Sequence, residues 1–442
     1  MAVGHHVLKR AALRISLVGL VMIGSLCASA QELVPLPPQP EGLAWPTQGW
    51  ETGEMAPDVA TIVQPMIDMA IAGEKAGPMG ETRAVVIIHH GKLVAEAYRD
   101  GFGPDTKQVS WSMAKSVTSA LTGRAVELGL IDDIDAPMPT PFDAGDKRAE
   151  ITWRQWLTMT DGLDYTEIGA TGMADNDVIQ MMYGPGRFDV LDYIKDQVPA
   201  LHEPGTVWNY STAAFHLIGH ALQGLGPDYD KLRDEQRLVV ALNDGDREAV
   251  RNCERLRVLG DANLPQACKD LLKRAKVLRS DLGGDDLIKN LFVATGMDAL
   301  VEYDAAGTYL GGSLVWASAR DFAKFGYLYL RDGVWDGERL LPEGWVDFSR
   351  SHPEGPKENV YGAGFWLTTG GADPVPSYQQ RDAPPWDSFA AEGHEGQTIF
   401  IVPSRDLVIV RLGIMSNEGE NWPDLFRWNQ AIAGAFPDIR AD

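Results

Sequence analysis

The chain has 442 residues, and its 62 acidic side chains outnumber 39 lysines and arginines, for a net charge of −23. So acidic a surface repels nucleic acid and anionic membranes, which excludes both as charge-driven partners. The length suits one large domain or two intimate lobes.

The first residues read as a targeting segment. Lys9, Arg10 and Arg14 precede an apolar run, Ile15 to Leu26, too short to span a bilayer, and Ala28-Ser29-Ala30 forms an A-x-A cleavage site. This predicts a signal peptide over residues 1–30, cleavage between Ala30 and Gln31, and a periplasmic or secreted mature chain. Cys27 raises a lipoprotein anchor, but Leu26 before it is bulky where a small residue is needed. No later run is apolar for long enough to cross a membrane. Residues 31–83 form an N-terminal extension, whose proline-rich lead-in PLPPQPEG, Pro35 to Gly42, has no fold of its own.

The first strong strand signal is AVVIIHHGKLVAEAY, two apolar runs around His90-Gly91-Lys92 that read as a hairpin. TIFIVPSRDLVIVRLG repeats the pattern around Pro403 to Asp406. Two hairpins so far apart predict one antiparallel sheet closed by both ends of the chain. Between them the signals are helical. SMAKSVTSALTGRAVELG ends at Gly129, and SARDFAKFGYLYLRDG opens on Ser318 and Asp321 and ends at Gly333. A last helix is predicted near Asp424–Ala435. The fold class is α+β: an antiparallel sheet flanked by helices, from residues 84–120 and 300–442, plus a helical lobe over 121–299.

Residues 231–290 carry a slight excess of basic side chains in an acidic chain. They read as an insert, beginning near residue 229, with helices over about Asp246–Leu259 and Pro265–Ser280. Counting outward from the loop at Gly260 brings Cys253 and Cys268 together. In an exported protein the pair suggests a disulfide worth about 3 kcal/mol, with two buried free thiols as the alternative. The charge contrast leaves the insert open as a surface for a protein partner.

The chemistry-bearing stretch is WSMAKSVTS, Trp111 to Ser119. Ser112 and Lys115 share a helix face at i, i+3. A serine hydroxyl must be activated to attack at neutral pH, and a lysine one turn away can stabilise the alkoxide or take its proton if burial lowers its pKa. Alone the spacing is a weak signal. Two further elements join it. In HEPGTVWNYSTAAFHLIGHAL, Tyr210-Ser211-Thr212 precedes an apolar helix. In GHEGQTIFIV, His394-Glu395-Gly396 leads into a strand, where glycine lets backbone and substrate approach closely. His216 and His220 are spaced like half a zinc site, but HLIGH lacks the glutamate of H-E-x-x-H, so they read as packing residues. No metal or cofactor is expected.

In order and context, S-x-x-K, Y-x-(N/S/T) and (K/H)-x-G resemble the three signatures of serine β-lactamases and penicillin-binding proteins. WSMAKSVTSAL, LTMTDGLDY, HEPGTVWNYST and GGSLVWASARDFAKFG look most like the class C-like branch of family VIII carboxylesterases and 6-aminohexanoate-oligomer hydrolases. The likeness runs from Ala84 to Gly434, apart from the insert. It implies Ser112 as acylated nucleophile, Lys115 as its activator, Tyr210 as proton relay, and His394 holding Tyr210 and substrate. The oxyanion hole would be the backbone N–H groups of Ser112 and Gln397. Trp111, Tyr165, Glu395 and Gly396 are further substrate-binding candidates.

Two departures matter. Thr212 stands where β-lactamases usually have Asn, and Glu395 stands where β-lactam-binding members carry a hydroxyl residue. Unless it points away from the cleft and only faces solvent, a carboxylate there repels an anionic substrate and points to a small neutral or cationic ester or amide. The reading is an exported serine hydrolase. The alternatives are a β-lactamase or D-amino-acid peptidase and, in a different class, an acylated sensor that does not turn over.

Overall fold

The protein is described by a computed structural model over residues 33–75, 77–225, 265–268, 285–353, 355–356, 360–368, 385–415 and 418–440. The residues from Val34 onward form one compact unit. Its centre is a six-stranded antiparallel sheet in the order β2-β1-β11-β10-β9-β8. The strands are β1 (Glu81–His89), β2 (Lys92–Tyr98), β8 (Trp366–Leu367), β9 (Phe389–Gly393), β10 (Gln397–Val402) and β11 (Leu407–Ile414). Both expected hairpins are present. His90 and Gly91 take φ of 48° and 72°, the consecutive left-handed pair of a turn that matches strand twist. β1 pairs with β11 from Glu81↔Ile414 to His89↔Leu407, so the sheet joins both ends of the unit.

Alternating side chains make two cores. Val85, Ile87, Phe400 and Ile409 pack with α1 (Pro57–Ala72) and the last helix, α10 (Glu418–Ala435). Val86, Ile88, Ile399 and Val408 face the larger core with α2 (Met113–Glu127) and α8 (Ala319–Leu330). The expected Ser318 cap of α8 is present, its Oγ accepting from the Asp321 N–H at 3.1 Å. The last helix differs from expectation: it starts ahead of Asp424 and continues through Pro423. α1 covers a sheet face, and the proline-rich stretch, although irregular, is tied down where Pro37 O accepts from Arg331 and Gln39 Oε1 from Tyr327.

The helical region supplies α3 (Trp153–Leu157), α4 (Asp177–Met182), α5 (Val190–Gln197), α6 (Thr212–Gln223) and α7 (Asp285–Thr295). A small sheet of β3 (Gln108–Val109), β4 (Leu300–Val301) and β5 (Val315–Ala317) leads into α2. β6 (Val334–Trp335), β7 (Glu338–Arg339) and α9 (Trp345–Ser349) follow α8 in the chain. Most of the predicted insert, including Cys253 and therefore the Cys253–Cys268 pairing, lies outside the described residues. No described helix is long and apolar enough to cross a membrane.

Candidate active site

α2 is buried from Met113 to Ala125, yet much of its sequence is polar. Its hydroxyls are matched to backbone carbonyls of flanking loops. Ser116 donates to Gly364 O (2.5 Å), Thr118 to Gly311 O (2.7 Å) and Ser119 to Ala363 O (2.8 Å). Each such bond contributes about 1 kcal/mol, and each would cost more if left unmade in the core. They lock the helix in rotation, which fixes where Ser112 and Lys115 point. Ahead of the helix, Trp111 is held at φ 45°, an uncommon conformation for a bulky residue that costs about 1–3 kcal/mol. Ser110 secures it: its Oγ donates to Trp111 O and accepts from the Val315 N–H.

Lys115 is wholly buried. Its Nζ donates at 2.8 Å to three oxygens, Ser112 Oγ, Thr212 Oγ1 and Gly312 O. Burial depresses its pKa to about 8, against the opposing pull of the Glu167 carboxylate. A lysine so held reaches its neutral form near physiological pH. It can then keep two donors on Thr212 and Gly312 and turn a lone pair to the serine hydroxyl. His216, also fully buried, supports the arrangement from beneath, accepting at Nδ1 from the Gly312 N–H. Burial, and then the nearby Lys115, lower its pKa to about 3, so it is a neutral core residue.

Tyr210 sits just ahead of α6. Its ring stacks on Trp366 at 5.2 Å, meets Tyr361 edge-on at 5.9 Å, and lies 4.8 Å from Lys115 Nζ. At the helix start the Glu167 carboxylate accepts from the Thr212 N–H (3.0 Å) and the Thr212 hydroxyl (3.1 Å). Lys115, Thr212 and Glu167 therefore form a continuous hydrogen-bonded chain.

The opposite wall is the end of β9. Glu392, Gly393 and His394 line the same cavity as Ser112. The exposed His394 ring meets the Trp111 indole edge-on at 5.3 Å. Beyond it the chain turns sharply, with Glu395 at φ 61° and Gly396 at φ 81°. Three carbonyls of this turn are clamped: Gln397 Nε2 donates to His394 O, and Arg411 Nη1 to Glu395 O and Gly396 O at 2.9 Å each. Burial lowers the Arg411 pKa to about 9.

The cavity has a volume of about 600 Å³. Trp366, Ile179, Met182, Trp422 and Phe426 give it apolar walls, and Glu167 and Glu392 put two carboxylates on it. Of the residues expected from sequence, Ser112, Tyr210, His394 and Trp111 line it, with Lys115 directly behind Ser112. Four others do not line it. Tyr165 is buried behind Glu167, whose charge adds to burial in keeping the phenol protonated. Glu395 and Gly396 belong to the turn past the cavity, where a Cβ on Gly396 would meet Met415 and Arg411. Gln397 lies one strand further in, paired with Gly393, and its side chain bridges to Gly413. Sequence reasoning missed Glu167, Glu392 and Trp366. Of these, Glu167 lies two residues past the end of the LTMTDGLDY stretch, which puts it near the site without naming its partner.

Residues 79–435 match the Beta-lactamase family. The 6-aminohexanoate-dimer hydrolase of Paenarthrobacter ureafaciens is 22% identical over 372 residues, spanning 81% of this chain and 78% of that protein. Among solved structures, a provisionally named 6-aminohexanoate-dimer hydrolase of Bacillus anthracis superposes with a TM-score of 0.54 at 18% identity, covering 88% of this chain and 89% of that one. A penicillin-binding protein homologue of Caulobacter crescentus does so at 0.51 and 14% identity, over 87% and 99%. These two likenesses concern the fold, which is that of the β-lactamase and penicillin-binding hydrolases. With the family match spanning most of the chain, from before β1 to the end of α10, this protein belongs to the beta-lactamase family.

Proposed function

We propose that the protein is an exported serine hydrolase that cleaves an ester or amide bond through an acyl-enzyme on Ser112. The observation that carries this is the Lys115 ammonium, buried and 2.8 Å from Ser112 Oγ, at the floor of a 600 Å³ cavity. Neutral Lys115 takes the Ser112 proton as Oγ attacks the substrate carbonyl carbon. The resulting oxyanion needs two N–H donors. One is the Ser112 backbone. The second we assign to His394 rather than Gln397. Thr368 N–H donates to Ser388 O, so β9 residues in phase with Ser388 direct their N–H groups to the β8 edge. Gly393 is extended, φ −137°, which keeps His394 in that phase. The proton taken up by Lys115 is relayed through Tyr210 to the departing alkoxide or amine, so the serine proton leaves with that group. Water then hydrolyses the acyl-serine, its proton returning through the same groups.

The apolar walls with Glu167 and Glu392 support a small substrate, neutral or cationic, over an anionic one. This moves the charge selectivity expected of Glu395 onto the β9 edge, and it disfavours the carboxylate of a β-lactam. The leader at residues 1–30 supports export to the periplasm or medium.

The test is labelling and turnover together. A fluorophosphonate should mark Ser112, and short p-nitrophenyl esters should be hydrolysed by the wild type and not by Ser112→Ala. Lys115→Ala and Tyr210→Phe should each slow acylation, with a double variant no slower than the worse single one. A label on another serine, or full activity in Ser112→Ala, overturns the assignment.

A further inference from the structure

The loop between α3 and α4 contributes one charged side chain, Glu167, directly to the start of α6, and the proton transfers proposed for Lys115 and Tyr210 do not involve it. Glu167 accepts two hydrogen bonds from Thr212, one from its backbone and one from its hydroxyl. The same hydroxyl accepts from Lys115. Thr212 Oγ1 is thus a joint with a fixed polarity: its single proton goes to the carboxylate, so its lone pairs are left for the lysine.

We propose that Glu167 is a positioning residue of the acylation machinery, acting through Thr212 to hold the Lys115 amine against Ser112 and to set the pH at which that amine becomes a base. This rests on the serine-hydrolase reading. A carboxylate two hydrogen bonds from a buried ammonium favours the charged form, and it opposes the burial that favours the neutral one. Other titratable groups face the pair. They are Tyr210 ahead of α6, His216 on α6, Tyr165 beside Glu167, Tyr361 before β8, and Glu392 and His394 at the end of β9. His216 is neutral, and burial keeps Tyr165 and Tyr361 protonated, so Glu167 is the anion joined to Lys115 by hydrogen bonds.

The experiment is the pH dependence of kcat/KM for a neutral p-nitrophenyl ester with wild type, Glu167→Gln, Thr212→Val and Thr212→Ser. Glu167→Gln keeps an acceptor for Thr212 and removes the charge. Its acidic limb should move to lower pH by about one unit. Thr212→Val should lose at least about tenfold in kcat, and Thr212→Ser should restore most of it. If Glu167 only anchors the start of α6, Glu167→Gln will leave the limb where it was, whatever it does to the melting temperature, and the proposal falls. A wild type with no limb near pH 8 would instead remove the serine–lysine reading beneath it, so the two failures are distinguishable.

Discussion

Gly393 and Ser112 meet backbone to backbone. A Cβ added at Gly393 would stand 2.1 Å from Ser110 O and 3.1 Å from the Ser112 nitrogen. Its φ of −137° is open to any residue, so glycine is required here by proximity and not by conformation. Gly393→Ala should push β9 off the start of α2 and widen the oxyanion site. The expected result is a kcat lower by about a hundredfold with a folded protein, checked by single-turnover acylation alongside a melting curve.

Lys115 makes stability depend on pH in a direction unusual for a lysine. Its pKa falls from 10.5 to about 8 on folding. Between these values the unfolded chain holds a proton that the folded chain lacks, so stability rises with pH. It is fully present above 10.5 and is lost as pH falls through 8. The amount is on the order of 3 kcal/mol. Lys115→Met should abolish turnover and lack this rise. Denaturant midpoints at pH 7 and pH 9.5 should therefore show the wild type gaining on the variant as pH increases.

Charge selectivity should reside at Glu392 and not at Glu395. For a matched pair of esters, one neutral and one amine-bearing, Glu392→Gln should lower the preference for the amine by about tenfold in kcat/KM. Glu395→Thr, in the turn beyond the cavity, should leave the ratio unchanged.

The Arg411 guanidinium is spent on Met79 O, Glu395 O, Gly396 O and Thr82 Oγ1. Arg411→Lys cannot reach all four. The turn after His394 should loosen, with kcat falling by about tenfold and KM nearly unchanged. Inhibition by a trifluoromethyl ketone, whose adduct carries the oxyanion, should weaken in step with kcat.

The hairpins, α2, α8 and the pairing of Ser112 with Lys115 were legible because each is written in a short local pattern. The far side of the site was not. His394, Glu395, Gly396 and Gln397 look like one continuous strand in the sequence, and a strand alternates faces every residue. The left-handed Glu395 and Gly396 break that alternation. Glu392 and Gly393 thereby take the places that Glu395 and Gly396 were expected to hold, and Gln397 becomes a brace. Glu167 was hidden for another reason: its partner, Thr212, is 45 residues away. Only the packing of the α3–α4 loop on α6 makes the two a pair.

The pairing of β1 with β11 also bears on when the protein can fold. β1 lies between β2 and β11, and Thr82 and Arg411, bonded across that seam, are separated by 329 residues of chain. The sheet has no stable centre until its last strands exist, since a lone β1–β2 hairpin is marginal in water. Contacts of such long range make folding slow, because loop closure must precede the contacts that reward it. A ribosome would release nearly the whole chain before the core could close, leaving a long interval in which the polypeptide is extended enough to be threaded through a narrow pore.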